Sequence, residues 1–575
     1  MKYLSTRGGE ERLSFEEAVL RGLAPNGGLY IPSSMPSLPI NWASEWSNLS
    51  FPQLSHRILS LFIPTSSSEG GIPSSDLEAI INRSYSTFRH QQTTPLVQTR
   101  DGEYVLELWH GPTFAFKDVA LQLLGNLFEY FLARRNADLP ADSDQRHRLT
   151  VLGATSGDTG SAAIAGLRSK KDVDIFILHP KGRVSPIQEA QMTTVLDENV
   201  HNLAVEGSFD DCQDIVKSLF SEPDFNAKHR LGAINSINFA RILAQIVYYF
   251  SAYFQLCKQL NIDPASSNPD AQFVVPTGNF GDVLAGYYAK RMGLPIKGGL
   301  VVATNENDIL ERFWASGKYE KASGSSAKEV DVPQTAPAAG SSDGAQVQAQ
   351  AQVVGGVKQT LSPAMDILVS SNFERLLWYI AFETSSNDAT AAGQQVNQWM
   401  ADLKSKGVME VSKEQLEVAK RDFSAKRVSD GETRDTILRY FAPATSSSSS
   451  KPEKSYLLDP HTAVGMQAAN WIREASGSHK QIILSTAHPA KFAEAVTSSL
   501  ASSADVAFNF ERDVLPDEMR GLLEKERRVE DVKVADGEGD SDLQRLVRAT
   551  AKVLDREAEH RGLGAAKQGK GTESV

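Results

Sequence analysis

Leu149-Thr150-Val151-Leu152-Gly153-Ala154-Thr155-Ser156-Gly157-Asp158-Thr159-Gly160-Ser161 decides what kind of fold this chain adopts. Leu149–Leu152 is an apolar run of strand length. The glycines that follow turn the chain, and a helix opens behind them. They let the backbone aim N–H groups inward, and the hydroxyls add donors, so the loop can cradle an anion. Its glycine spacing is neither G-x-G-x-x-G nor a P-loop. The plain alternative is a tight strand–helix turn. The same rhythm recurs after Ile175–Leu178, Leu203–Val205 and Phe273–Val275. Strands alternating with helices imply an α/β fold, its parallel sheet covered by helices. On such sheets ligands gather at the carboxyl ends of strands.

Three further stretches carry chemistry. Pro276-Thr277-Gly278-Asn279-Phe280-Gly281-Asp282 repeats the strand–loop–helix design, and its two glycines permit close backbone approach to a phosphate. Asp282 would repel that phosphate if it faced inward, so its side chain is expected to cap the helix. Upstream, His110-Gly111-Pro112-Thr113-Phe114-Ala115-Phe116-Lys117-Asp118 runs from a Gly-Pro turn into a helix marked by Val119, Leu123, Leu124, Leu127, Phe128 and Phe131. Lys117 therefore stands in a first turn, where unpaired N–H groups disfavour a cation. Burial between Phe114 and Phe116 would lower its pKa further, which is how an amine is made ready for an aldehyde. The bland reading is a solvated surface lysine. Finally, Asn238, Arg241 and Gln245 share one face of an otherwise apolar helix, and Arg241 offers a forked contact to phosphate or carboxylate. A salt bridge to a neighbouring helix explains Arg241 nearly as well.

The chain has 575 residues, 59 basic and 71 acidic, for a net charge of −12, which argues against a nucleic-acid partner. Its two cysteines, Cys212 and Cys257, lie in helical patterns and give neither a disulfide framework nor a metal site. The first residues show no apolar run behind their charges, so no secretory signal is expected. The greasiest stretch, Ile237 to Leu256, carries Asn238, Arg241, Gln245 and Gln255 and reads as a core helix rather than a membrane span. A soluble, cytoplasmic protein is expected.

A small N-terminal domain is expected over 1–95, opened by the capping box Ser14-Phe15-Glu16-Glu17 and a helix that Gly22 ends. A catalytic α/β region of two subdomains then spans 96–510. Low-complexity insertions interrupt it at about Glu320–Gln359 and Thr445–Ser455, where large apolar residues are scarce. Tyr456–Leu458 and Gln481–Leu484 read as returning strands. Residues 511–575 form a charged extension with a Gly/Lys tail.

Taken together, His110–Asp118, Thr155–Gly160, Asn235–Arg241, Gly278–Asp282, Ser362–Ile367, Asp459–Gly465 and Ser485–Phe492, with Tyr3–Gly8 and the Leu23–Pro32 turn, resemble threonine synthases of fungal and bacterial type. These are fold type II pyridoxal phosphate enzymes with tryptophan synthase β-like architecture, and the likeness spans about residues 1 to 520. It implies a pyridoxal 5'-phosphate cofactor with Lys117 as its Schiff-base lysine. Gly278, Asn279, Phe280, Gly281 and Asp282 would hold the cofactor phosphate, and Thr486 would face the pyridine nitrogen. Thr155, Ser156, Asp158 and Thr159 would bind the substrate carboxylate. Lys181, Arg183, Asn238 and Arg241 are candidates for the substrate phosphate. The implied reaction turns O-phospho-L-homoserine and water into L-threonine and phosphate. A related phospholyase that releases a keto acid is the nearest rival, and a non-catalytic scaffold is the rival from another class. Lys117, Gly278, Gly281 and Thr486 are all intact, which speaks against decay into a scaffold. Monomer and homodimer both remain open.

Overall fold

In the computed structural model, residues 1–575 are described except 141–142, 144, 233, 322–352, 355, 443–454, 477–478, 502–507, 535–540 and 561–575. Eleven strands make its two large sheets: β1 (Leu96–Arg100), β2 (Glu103–Glu107), β3 (Leu149–Ala154), β4 (Val173–Pro180), β5 (Val200–Val205), β6 (Leu231–Gly232), β7 (Ala271–Pro276), β8 (Leu300–Thr304), β9 (Phe423–Arg427), β10 (Lys480–Ser485) and β11 (Glu530–Val532). Five helices position the site: α1 (Lys117–Arg135), α2 (Asp158–Leu167), α3 (Pro186–Thr193), α4 (Phe239–Gln259) and α5 (Gly281–Met292).

The larger sheet has the order β9-β8-β7-β10-β2-β1 and is parallel except for the β1/β2 hairpin. The smaller one, β11-β5-β4-β3-β6, is parallel throughout. Every residue of β4 and of β7 is buried, as strands covered on both faces require. Strands β2 and β10, far apart in the chain, pair with Val105 opposite Ile483, so the loops that leave their carboxyl ends lie side by side.

Helix α4 is the spine of the core. It is buried without a break from Phe239 to Phe254, as a helix apolar all round must be. The N-terminal residues pack on its start: Tyr3 and Phe62 meet the Phe239 ring at 5.2 and 6.2 Å. Each buried ring contributes about 1.5–3 kcal/mol, which fastens the first strands and helices to the catalytic region. The capping box at Ser14 and Glu17 is present, and Gly22 ends that helix at φ 69°.

Some expectations change. Tyr456–Leu458 pairs with no strand among the described residues; the Tyr456 hydroxyl instead donates to Glu107 at 2.8 Å, pinning the segment to the end of β2. Three apolar residues suit that anchoring as well as they suit a strand. The C-terminal region contributes β11 and a helix, Asp542–His560, whose Leu546, Val553 and Leu554 are buried beside Val532. Most of the two low-complexity segments, at 322–352 and 443–454, and the tail from 561 lie outside the described residues. Val353–Val354 pairs with Val357–Lys358. Among the described residues no helix is long and apolar enough to cross a membrane.

Candidate active site

Lys117 stands where the loop after β2 becomes α1. That loop is stitched to the end of β10: Phe116 N donates to the Thr486 carbonyl at 2.8 Å, and His488 N donates to the Phe114 carbonyl at 3.0 Å. Asp118 folds back, accepting from both the backbone N–H and the hydroxyl of Thr113 at 2.7 Å. The lysine is thus carried by a loop closed from two sides. Its burial does not come from a sandwich of aromatics. Phe114, at φ 59°, turns toward Val514 and Met519 with Arg89 stacked 3.9 Å over its ring, and the Phe116 ring lies 5.8 Å from Nζ. The left-handed turn at Phe114 sends its ring away from Lys117.

What surrounds Lys117 is charge. The residue is 9% exposed, and its Nζ lies 3.9 Å from Oδ2 of Asp158, the first residue of α2. Oδ1 of the same carboxylate is taken by Lys491 Nζ and by Gln188 of α3, each at 2.9 Å. Arg241 of α4 faces the same space; it is 3% exposed, and its Nη1 donates to the Ile234 carbonyl at 2.8 Å. Its Nε has no hydrogen-bond partner among the described residues. Burial brings the Lys117 amine down to about 8; Asp158 pulls the other way, and Lys491 and Arg241 reinforce the fall. Burial also works against the Asp158 charge, but Lys491 and Lys117 outweigh it and hold that carboxyl well below the usual range. Arg241 is lowered to about 10 by burial.

The loop after β7 is shaped for close approach. A Cβ on Gly278 would lie 2.8 Å from the Ala364 carbonyl oxygen, so no larger residue fits. Ser370 donates to the Gly278 carbonyl at 2.6 Å, and the Asn372 amide donates to the Asn279 carbonyl at 2.9 Å. With these carbonyls held, the N–H groups at the start of α5, which have no intrahelical acceptor, remain for an anion. Ala364 N in turn donates to His461 Nε2 at 3.1 Å, while His461 Nδ1 meets Asp459 at 2.9 Å. The stretches 362–367 and 459–465 are therefore the scaffold behind this loop. Asp282 is no cap. It accepts from the Tyr248 and Tyr249 hydroxyls of α4, and burial pushes it up to about 7.

The other expected residues divide. Thr155 is buried, its hydroxyl accepting from Gly157 N at 3.0 Å and Gly160 N at 2.9 Å, so it shapes the cradle. Gly157, at φ 140°, has the backbone only glycine adopts freely. Ser156 is exposed and Thr159 half-buried at the mouth of the loop. Thr486 is buried at the end of β10. Asn238 differs from the expectation: its amide caps α4 through Ala240 N at 3.1 Å and donates to the Val19 carbonyl at 2.8 Å. Lys181 differs too; it is exposed and paired with Asp531 on β11 at 2.5 Å. Arg183 is exposed in the loop before α3. Lys491 and Gln188 belong to the charged cluster without having been singled out; a second lysine within the Ser485–Phe492 stretch was the available signal.

Comparison with known proteins points to one family. Family models described as threonine synthase N terminus, pyridoxal-phosphate dependent enzyme, and threonine synthase C-terminal match residues 2–85, 87–359 and 462–540. The threonine synthase of Schizosaccharomyces pombe is 52% identical over 531 residues, spanning 92% of this chain and 94% of the relative. The protein named threonine synthase-like 2 from Homo sapiens is 36% identical, over 86% of this chain and 88% of its own. Among solved structures, yeast threonine synthase superposes with a TM-score of 0.81 at 46% identity, covering 98% of each chain. The pyridoxal phosphate-bound threonine synthase from Brucella melitensis gives 0.76 at 38% identity, covering 97% of this chain and 99% of that one. At this identity over nearly the full length of both chains, the protein belongs to the threonine synthase family of pyridoxal-phosphate dependent enzymes.

Proposed function

We propose that this chain converts O-phospho-L-homoserine and water to L-threonine and phosphate with pyridoxal 5'-phosphate as cofactor. The observation that carries the reading is a buried, proton-shedding amine on Lys117 beside a buried Arg241 that no carboxylate neutralises among the described residues. A charged guanidinium left in that state is costly unless an anion joins it.

The residues present suit the cofactor. The Gly278–Gly281 backbone leaves room and donors for one phosphate, and Lys117 offers the amine for its aldehyde. Asp282 keeps its carboxylate among tyrosines, so only its backbone faces that phosphate. The hydroxyl of Thr486 offers a neutral partner to a ring nitrogen. When bound, the cofactor supplies the electron sink that makes a Cα proton removable. Lys117, once released, takes that proton, and its depressed pKa gives it a larger free-base share near neutral pH than an ordinary lysine has. The Thr155–Thr159 loop holds the amino-acid carboxylate with backbone and hydroxyl donors. Arg241 holds the ester phosphate as it departs from Cγ, and Arg183, exposed in the loop before α3, is a further candidate cation for it. A Cβ proton is lost as the phosphate leaves, Cγ takes up a proton to become the methyl group, water adds at Cβ, and Cα regains its proton.

Incubation with O-phospho-L-homoserine tests this. L-threonine and phosphate in equal amounts are expected; a keto acid with ammonia would assign the phospholyase outcome instead.

A further inference from the structure

The strongest unassigned feature is the second buried lysine. Lys491 sits in a short 3-10 turn, Pro489–Phe492, with its side chain fully buried. Its Nζ donates to Asp158 Oδ1 and to the Thr113 carbonyl, both at 2.9 Å. One contact holds the carboxylate loop and the other holds the loop that carries Lys117. A buried ammonium is costly even when paired, and an aliphatic side chain would fill the same volume more cheaply. The charge itself is therefore what the position uses.

We propose that Lys491 is a positioning residue for the reaction, holding Asp158 by Oδ1 so that the carboxylate faces Lys117 across a gap instead of forming a close ion pair with it. Without Lys491, Asp158 would be an uncompensated buried anion whose nearest cation is Lys117, at 3.9 Å already. The two would close, and the proton would be fixed on the amine that has to shed it. Gln188 steadies Oδ1 but carries no charge and cannot replace the ammonium. The groups that face Lys117 from the packed elements are Asp158 of α2, Lys491 of the 3-10 turn, Arg241 of α4 and Asp118 of its own helix, and His461 also acts on Asp158. Asp118 is spent on Thr113, and Arg241 is free to pair with an anion, so the Lys491–Asp158 pair is the adjustable balance.

This proposal rests on Lys117 being the reacting amine, and its test is independent of that reading. The full-length chain, freed of cofactor, is labelled with a trace of acetic anhydride across a pH series, and acetylation of the Lys117 peptide is measured by mass spectrometry. Lys491→Met should move the labelling midpoint up by about one pH unit, because a cation is lost and an anion approaches. Lys491→Gln, which keeps a donor to Asp158, should do the same and guards against a variant that fails to fold. Lys491→Arg should restore the native midpoint. In the holoenzyme, kcat/KM of Lys491→Gln should fall at neutral pH and recover at alkaline pH. A midpoint that stays at the native value in a folded charge-removed variant overturns the proposal, as does a rate lost equally at every pH. If borohydride fixes the cofactor elsewhere than on Lys117, the reading of the site fails instead, whatever the midpoint does.

Discussion

Lys117 shows how much a single residue can disclose. A cation in the first turn of a helix is out of place, and the structure gives it the buried setting that the anomaly implies. The cause assigned to that burial was wrong, because the ring positions depend on a left-handed Phe114 that neighbouring residue types do not reveal. Arg241 was legible as a forked cation on an apolar helix, but Asn238 was grouped with it by spacing alone. At a helix start, the demand of orphan N–H groups for a cap outranks shared-face geometry, and Asn238 answers that demand. Lys491 was illegible as a buried group, since its partner Asp158 comes from a distant strand end. The residue-scale prediction concerns Arg241. Arg241→Leu should cut kcat/KM for O-phospho-L-homoserine at least tenfold, from the loss of about 1.5–3 kcal/mol in charge-assisted contact. Binding of a small unphosphorylated amino acid, followed by the cofactor's absorbance, should change little. Equal damage to both would make Arg241 structural.

At the scale of elements, the strand–loop–helix units were readable from apolar runs and glycine clusters, and β3, β4, β5 and β7 extend the predicted strands by one to three residues at their ends. What an acidic residue does inside such a unit was not readable. Asp282 lies in the first turn of α5, where capping is the local expectation, yet two tyrosines of α4 capture it. Burial there has a pH signature, because it raises the carboxyl pKa more than the two tyrosine hydrogen bonds lower it. The folded-state pKa, about 7, lies above the unfolded value, so the folded chain binds the proton more tightly. Its contribution is fully present below about pH 4 and is lost as pH rises through about 7, on the order of 4 kcal/mol across that window. Asp282→Asn should remove this slope. Urea unfolding of both proteins between pH 4 and 8 measures it, and parallel stability curves would contradict the assignment.

For the whole molecule, the parallel α/β architecture and the strand-end site were legible, because both follow from periodicity along the chain. The completion of the smaller sheet by its C-terminal strand was not. Glu530–Val532 is three residues long and charged, and only its pairing with β5 makes it a strand. Ending the chain at Val529 should therefore uncover the face where Val532, Leu546, Val553 and Leu554 are buried. At about 1.5–3 kcal/mol for each buried side chain, the urea midpoint should fall clearly. An unchanged midpoint would mean that the C-terminal helix adds no packing to the sheet.

The central claim is that Lys117, and not its buried neighbour Lys491, is the amine that carries the cofactor. Reducing the native holoenzyme with borohydride, digesting it and locating the pyridoxyl mass by tandem mass spectrometry tests this directly. The mass should fall on the peptide containing Lys117, and Lys117→Ala should lose it. Cofactor fixed to Lys491, or to any lysine of the Lys117→Ala protein, would contradict the account.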